Sequence, residues 1–312
     1  MKNILITGSN GLLGSALVRT LEKTFNEYKI IKHTRNECDL NDKDTTIKYL
    51  IKNQLENNVD TVIHCAAEVG GVLKNTLYSQ KMFFNNLQIN NNIIEASYLA
   101  EIENFANILS TCIFSQDSIY PLTADQLQTD KLPHPSTLGY SLAKRISLLT
   151  TQSYNRIFNK NWINIIPTNI YGINDNFNLE NSHVIPALIR KADQCSKTGE
   201  DFIIWGSGES YRQFIFSDDL ASLIIWAIEN WKKDIPFMAV NQNEYTIKEL
   251  VYMIAEKFNI SIDHIKFDFT KPNGIPKMTA SSDADWFNFV PIKDGLDRTV
   301  KWYIENFDKI RK

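Results

Sequence analysis

An α/β fold, a doubly wound parallel sheet with a smaller mixed α/β lobe at its C-terminal end, is what the sequence predicts, on three observations. Strand-length apolar runs alternate with amphipathic stretches through the first half of the chain. A glycine-rich turn joins the first run to the first amphipathic stretch. After Thr168 the alternation gives way to chain punctuated by Gly, Asn and Pro. Strands separated by helices need crossover connections, so the sheet is parallel and helices cover both faces.

The elements follow in order. Asn3 to Thr7 (NILIT) reads as a buried strand, Gly11 to Lys23 as a helix, Tyr28 to Lys32 as the second strand and Asp60 to His64 as the third. Asn75 to Ala100 reads as one helix, Phe105 to Thr111 as a strand, Ser141 to Phe158 as a helix and Trp162 to Pro167 as a strand. Further on, Val184 to Asp193, Asp218 to Trp231, Ile247 to Phe258 and Lys293 to Asn306 carry helical spacing, while Phe202 to Trp205 and Met238 to Asn241 read as short strands. The expected division is a first domain over 1–168 and a second lobe over 169–312, with elements of 205–245 returning to the large sheet.

Composition narrows the function. The 312 residues suit two domains, and 33 basic against 36 acidic residues leave a formal charge of −3, without the basic excess of a nucleic-acid binder. The four cysteines, Cys38, Cys65, Cys112 and Cys195, are scattered with no CxxC pair, which argues against a disulfide framework or a metal site and for a reducing cytoplasm. No apolar run reaches membrane-spanning length, and MKNILITG lacks the layout of a signal peptide.

Gly8-Ser9-Asn10-Gly11-Leu12-Leu13-Gly14 is a GxxGxxG between a strand and a helix. Glycine lets a tight turn form and lets a pyrophosphate approach the backbone at the positive end of the helix, which is the Rossmann-type arrangement for a dinucleotide. Sites that prefer NAD place an acidic residue after the second strand. Here that position offers Lys32-His33-Thr34-Arg35, and a guanidinium suits a 2′-phosphate, so NADPH is the expected cofactor. Asp39 and Leu40 are placed to fix the adenine, and the small residues Ala66 and Ala67 let the backbone lie against the cofactor.

Tyr140 and Lys144 form a YxxxK at helical spacing, so hydroxyl and ammonium share one face; the ammonium is expected to lower the phenol pKa and ready it for proton transfer. Ser110 stands at the C-terminal edge of a strand, the ligand side of such a sheet, where its hydroxyl can bond a substrate carbonyl. Cys112 and His183 could be an inert thiol and a helix cap, or a two-base pair for epimerisation next to a ketone. Glycine loop, strand-end Ser and YxxxK in this order point to an extended short-chain dehydrogenase/reductase.

At these residues the chain resembles the GDP-L-fucose synthases, epimerase/reductases of GDP-4-keto-6-deoxymannose. The segments that carry the resemblance are AAEVGGVLKN (66–75), LSTCIF (109–114), GYSLAKR (139–145), IPTNIYGINDNF (166–177), SHVIPALIRK (182–191), WGSGESYRQFIFSDDLA (205–221) and DFTKPNGIPKMTAS (268–281). The resemblance implies that Ser110, Tyr140 and Lys144 form the reductase triad, with Cys112 as base and His183 as acid at C3 and C5. It places Tyr140, Lys144, Pro167, Asn169, Ile170 and His183 beside the cofactor, with Lys144 holding the nicotinamide ribose, and Ser110, Asn169, Val184, Leu188, Lys191, Trp205, Arg212 and Lys277 beside a GDP-linked 4-keto-6-deoxy sugar. It also implies a homodimer through a four-helix bundle. The chain departs from the family pattern at Asn10, where many relatives carry an arginine, so selectivity for NADPH leans on Arg35. A 4-reductase of a related GDP-4-keto-6-deoxy sugar, such as a heptose, with little epimerase activity is the alternative.

Overall fold

In a computed structural model, residues 2–24, 28–127, 130–271 and 274–311 are described. The first half runs β1 (Lys2–Thr7), α1 (Leu12–Thr24), β2 (Tyr28–Lys32), α2 (Lys43–Asn57), β3 (Thr61–His64), α3 (Val72–Leu77), α4 (Ser79–Leu99), β4 (Asn104–Ile108), α5 (Leu138–Phe158) and β5 (Ile163–Pro167). The second half continues β6 (Asn169–Tyr171), α6 (Val184–Thr198), β7 (Phe202–Trp205), β8 (Tyr211–Phe216), α7 (Ser217–Asn230), β9 (Phe237–Ala239), β10 (Glu244–Thr246), α8 (Ile247–Lys257), β11 (Ile265–Asp268), β12 (Lys277–Met278) and α9 (Ile292–Glu305).

The doubly wound parallel sheet is present, with strand order β2-β1-β3-β4-β5-β9. Alternation along β1 explains its two covered faces. Ile4 and Ile6 pack with Leu17 of α1 and Leu220 and Ile224 of α7, while Leu5 packs with Leu50 of α2 and Ile93 of α4. The chain leaves β1 toward β2 on one side and β3 on the other, so β1 and β3 flank the switch point, where ligands bind at the carboxyl ends of the strands. A second core gathers Ile185 and Ile189 of α6, Leu250 and Ile254 of α8 and Leu296 and Tyr303 of α9 around β7 and β8. There β8 pairs with β6, β10 and β12, and β7 pairs with β11.

Two expected elements differ. The single helix over 75–100 is two helices, because Tyr78 leaves the helical region at φ −121° and ψ 31°. The strand expected to reach Thr111 stops at Ile108; Ser110 then caps a short 3₁₀ turn over Thr111–Ile113, its side chain accepting from the Cys112 amide at 3.4 Å. Helix α2 is an element the periodicity did not reveal. Asp42 caps it, accepting from Thr45 N at 2.7 Å.

Candidate active site

Two clefts open at the carboxyl ends of the large sheet. The first is lined by Gly8, Gly11, Leu12, Leu13 and Gly14 of the glycine loop, by Ser110, Tyr140, Lys144 and His183, and by Pro167, Asn169 and Ile170. The second is lined by Arg35, Asp39, Leu40, Ala66 and Ala67. They meet at Gly8, Ala67, Val69, Asn176 and Arg311, which line both.

The glycine loop is shaped by close approach. Gly8 has φ +64°, and a Cβ there would stand 2.9 Å from Ala66 Cα; a Cβ on Gly14 would stand 2.2 Å from the Gly8 carbonyl oxygen. Asn10 is exposed, and its carbonyl accepts from Asn174 Nδ2 at 2.9 Å. Helix α1 has no acidic residue in its first turn, so its amide dipoles face the cleft uncancelled.

The adjoining strand ends are pinned by a buried relay. Thr7 Oγ1 accepts from the amides of Cys65 and Ala66, both at 3.1 Å, and lies 2.8 Å from His64 Nδ1, while His64 Nε2 lies 3.0 Å from Asn90 Oδ1. Burial pushes His64 down to about 3, so the ring is neutral. It donates to the Asn90 amide oxygen and accepts from the Thr7 hydroxyl. Near the second cleft Arg35 keeps a side chain 71% exposed, 4.0 Å from Asp39, and Leu40 is buried. An exposed guanidinium, a glycine cradle and a bare helix N-terminus fit a dinucleotide with a phosphorylated ribose.

Of the catalytic candidates, Ser110, Tyr140, Lys144 and His183 line the first cleft, while Cys112 follows the lining residue Thr111 and is not itself part of the lining. Lys144 is 2% exposed and donates through Nζ to the Ile108 carbonyl at 2.7 Å, and burial lowers it to about 8. A buried ammonium needs an acceptor, and the Ile108 carbonyl at the end of β4 supplies one. The Tyr140 phenol is not depressed as expected: burial pushes it above its ordinary value, with Cys112 adding to the rise, and the phenol is protonated at neutral pH. Burial also raises Cys112, against opposing hydrogen bonds from Ser110 and Ser141. His183 occupies the N-cap position of α6, but its side chain makes no cap bond, and its ring, although surface-accessible, is held below its ordinary pKa by desolvation.

The remaining sequence candidates gather elsewhere. Lys191 Nζ donates to the Ile203 carbonyl at 3.0 Å and stands 5.2 Å above the Trp205 ring, which is 55% exposed and also faces Lys271 Nζ at 5.7 Å. Arg212 donates to the Tyr211 carbonyl at 2.7 Å, and Lys277 pairs with Glu244 at 2.6 Å. Val184 is half-buried beside the second core. Leu188 is a core residue: it falls on the inward stripe of α6 with Ile185, Ile189 and Ala192 and is 5% exposed. Asn169 holds the two regions together, donating to the Gln213 carbonyl at 2.9 Å. Thr111 does the same, its hydroxyl 3.9 Å from the Met278 sulfur on β12. Segment 268–281 includes Pro272 and Asn273, which lie outside the described residues.

Sequence reasoning missed several cleft residues. Asn75, Thr168, Asp175 and Ser182 line the first cleft, and each has a buried side-chain oxygen without a hydrogen-bond partner. Burial pushes the Asp175 carboxyl up to about 7. Arg311 comes from the far end of the chain. The polar run 172–182 was legible as a loop, but nothing in its spacing says which side chains turn inward.

Comparison with known proteins agrees with this geometry. Residues 4–241 match the NAD dependent epimerase/dehydratase family. The chain is 32% identical to the GDP-L-fucose synthase of Dictyostelium discoideum, over 100% of this chain and 98% of that protein. It superposes on a GDP-L-fucose synthetase of Naegleria fowleri bound to NADP with a TM-score of 0.92 at 31% identity, covering 100% of this chain and 95% of the other. A GDP-mannoheptose C4 reductase of Campylobacter jejuni with NADP bound superposes at a TM-score of 0.83 and 26% identity, covering 97% and 98%.

Proposed function

The chain belongs to the NAD dependent epimerase/dehydratase family and, within it, to the GDP-L-fucose synthases, and on that premise we propose that it is an NADPH-dependent epimerase/reductase converting GDP-4-keto-6-deoxy-mannose to GDP-L-fucose. The observation that carries this reading is that Ser110, Tyr140, Lys144 and His183 line the same cleft as the glycine loop.

Bound NADPH supplies the hydride that reduces C4. The chain's residues do the rest. The Ser110 hydroxyl bonds the C4 ketone oxygen and polarises it, so that negative charge developing there is stabilised. Tyr140, kept protonated by desolvation, gives its proton to that oxygen. Lys144 anchors the helix face to β4 through Ile108 and contributes positive charge beside the reacting oxygen. The ketone acidifies the hydrogens at C3 and C5. Cys112, as thiolate, removes a carbon-bound proton, and His183 returns one to the opposite face. Because burial raises the thiol, this exchange should increase as pH rises. Lys191, Trp205 and Arg212 offer cations and an aromatic face to the GDP moiety.

Incubation with the ketone in deuterated water tests the epimerase step: deuterium enters C3 and C5, and Cys112→Ser abolishes that exchange while still reducing a pre-epimerised ketone. Reduction without any exchange would instead favour the second reading, a pure C4 reductase, which the likeness to the GDP-mannoheptose C4 reductase supports.

Helices α4 and α5 pack on each other, and α4 leaves Phe84 and Leu99 exposed while α5 leaves Leu149, Ile157 and Phe158 exposed. These apolar residues support a homodimer built on a four-helix bundle, whose mass by light scattering is twice the 35.9 kDa of one chain. No helix among the described residues is long and apolar enough to cross a membrane, and the scattered free cysteines suit a cytoplasmic protein.

A further inference from the structure

The chain end folds back from α9 onto the loop beside the cofactor cleft. Lys309 N and Ile310 N both donate to the Asn306 carbonyl, and Ile310 is buried. Phe177 N then donates to the Arg311 carbonyl at 3.1 Å, and Arg311 bridges Asn176. The Arg311 guanidinium donates through Nη2 to the Asn174 carbonyl at 2.6 Å. Asn174, in the left-handed region at φ 65°, donates through Nδ2 to the Asn10 carbonyl at 2.9 Å and to Ser15 Oγ at 3.3 Å. A short chain of hydrogen bonds thus ties the chain end to the glycine loop and the first turn of α1.

Arg311 lines both clefts. Among the described residues common to the two, Gly8, Ala67, Val69, Asn176 and Arg311, it alone carries a charge. The second cleft holds Arg35 and Asp39; the first leads to Tyr140 and Lys144. A dinucleotide laid through both, adenosine in one and nicotinamide in the other, would bring its pyrophosphate to their junction. The N-terminus of α1 offers about half a positive charge there, less than the pyrophosphate's negative charge. Asp175, beside Arg311, opposes the guanidinium only in part, since burial raises its carboxyl to about 7.

We propose that Arg311 is a pyrophosphate-binding residue of the cofactor site, carried to the junction of the clefts by the folded-back chain end. The proposal rests on the reading of these clefts as the NADP(H) site. Binding to the sugar-free protein tests it, with NADPH and NADH each titrated by fluorescence into wild type, Arg311→Ala, Arg311→Lys and Arg35→Ala. A charge-assisted contact to the pyrophosphate predicts that Arg311→Ala weakens both cofactors by the same factor, about 10-fold. Arg311→Lys should retain most of the affinity, whereas Arg35→Ala should weaken NADPH alone. A loss in Arg311→Ala confined to NADPH would overturn the assignment, because the guanidinium would then be reading the 2′-phosphate. Unchanged affinity with a lowered melting temperature would also overturn it and leave Arg311 a structural strap. Failure of the wild type to bind either cofactor would sink the underlying reading of the clefts instead.

Discussion

The cleft at the glycine loop and the basic patch on α6, β7, β8 and β12 use charge differently. In the cleft wall and the strand beside it, ionisable groups are buried and pushed toward their neutral forms: Lys144 to about 8 and Asp175 to about 7 in the wall, and His64 on the adjoining strand to about 3. In the patch, cations sit near the surface and each already has a partner: Glu244 for Lys277, the Tyr211 carbonyl for Arg212, the Ile203 carbonyl and the Trp205 ring for Lys191. Desolvation lowers Lys191 and Arg212 as well, but their partners are carbonyls and a ring, which leave positive charge to offer an anion. The first region suits chemistry and the second recognition.

The sharpest way to break that contrast is Tyr140→Phe. If the cleft does the chemistry, turnover falls 10²- to 10⁴-fold, roughly the range of a positioned proton donor. NADPH affinity, read by fluorescence, stays within about twofold because the glycine loop is untouched. Near-normal turnover in this variant would remove Tyr140 from the mechanism.

Next in size is the stability carried by Asp175. Its folded carboxyl titrates near 7 against an ordinary 3.8, so the fold disfavours the charged form. Stability is therefore greatest at low pH with respect to this group, falls as pH rises from about 4 to about 7, and is level above. The full effect is on the order of 4 kcal/mol at about 1.4 kcal/mol per pH unit. Asp219, raised to about 6 by burial, adds a slope in the same direction. Asp175→Asn should raise the denaturation midpoint at pH 8 and leave it nearly unchanged at pH 4. An equal change at both pH values would mean the carboxyl is not strained.

The same contrast explains what the sequence made legible. The glycine loop, Ser110 and the Tyr140–Lys144 pair are local patterns, with spacing fixed by one turn or one helix face, and the structure brings all of them to one cleft. Strands β1, β3, β4 and β5 were legible because each is an apolar run buried on both faces, whereas β2, at the sheet edge with no fully buried residue, was legible from its position after the first helix. What escaped depends on partners distant in sequence. The strand β8 has no β6, β10 or β12 to pair with until the fold is complete. Lys144 donating to Ile108 follows from where β4 ends, and the burial that raises Tyr140 instead of lowering it follows from how the finished fold packs around the helix face. Leu188 looked like a pocket residue by resemblance and is core because α6 turns it inward. Arg311 reaches the cleft only because α9 returns the chain to it.

The smallest expected effects lie in the patch, and they rank its cations. Lys277 and Glu244 form an exposed ion pair, so together they present little net charge to a diphosphate. Breaking the pair with Lys277→Met should change stability by only about 0.2–1 kcal/mol and raise KM for the GDP-sugar by about threefold or less. Arg212 is more desolvated, which lowers its pKa, and has no acidic partner among its described hydrogen bonds, so its positive charge is not neutralised. Arg212→Ala should raise the same KM by about 10-fold, the effect of one charge-assisted contact. Glu244→Gln, which frees Lys277 from its partner, should lower KM modestly and make it more sensitive to salt. If Lys277→Met proved as damaging as Arg212→Ala, the ion pair would have to open on binding, and the patch would be rearranged by its substrate.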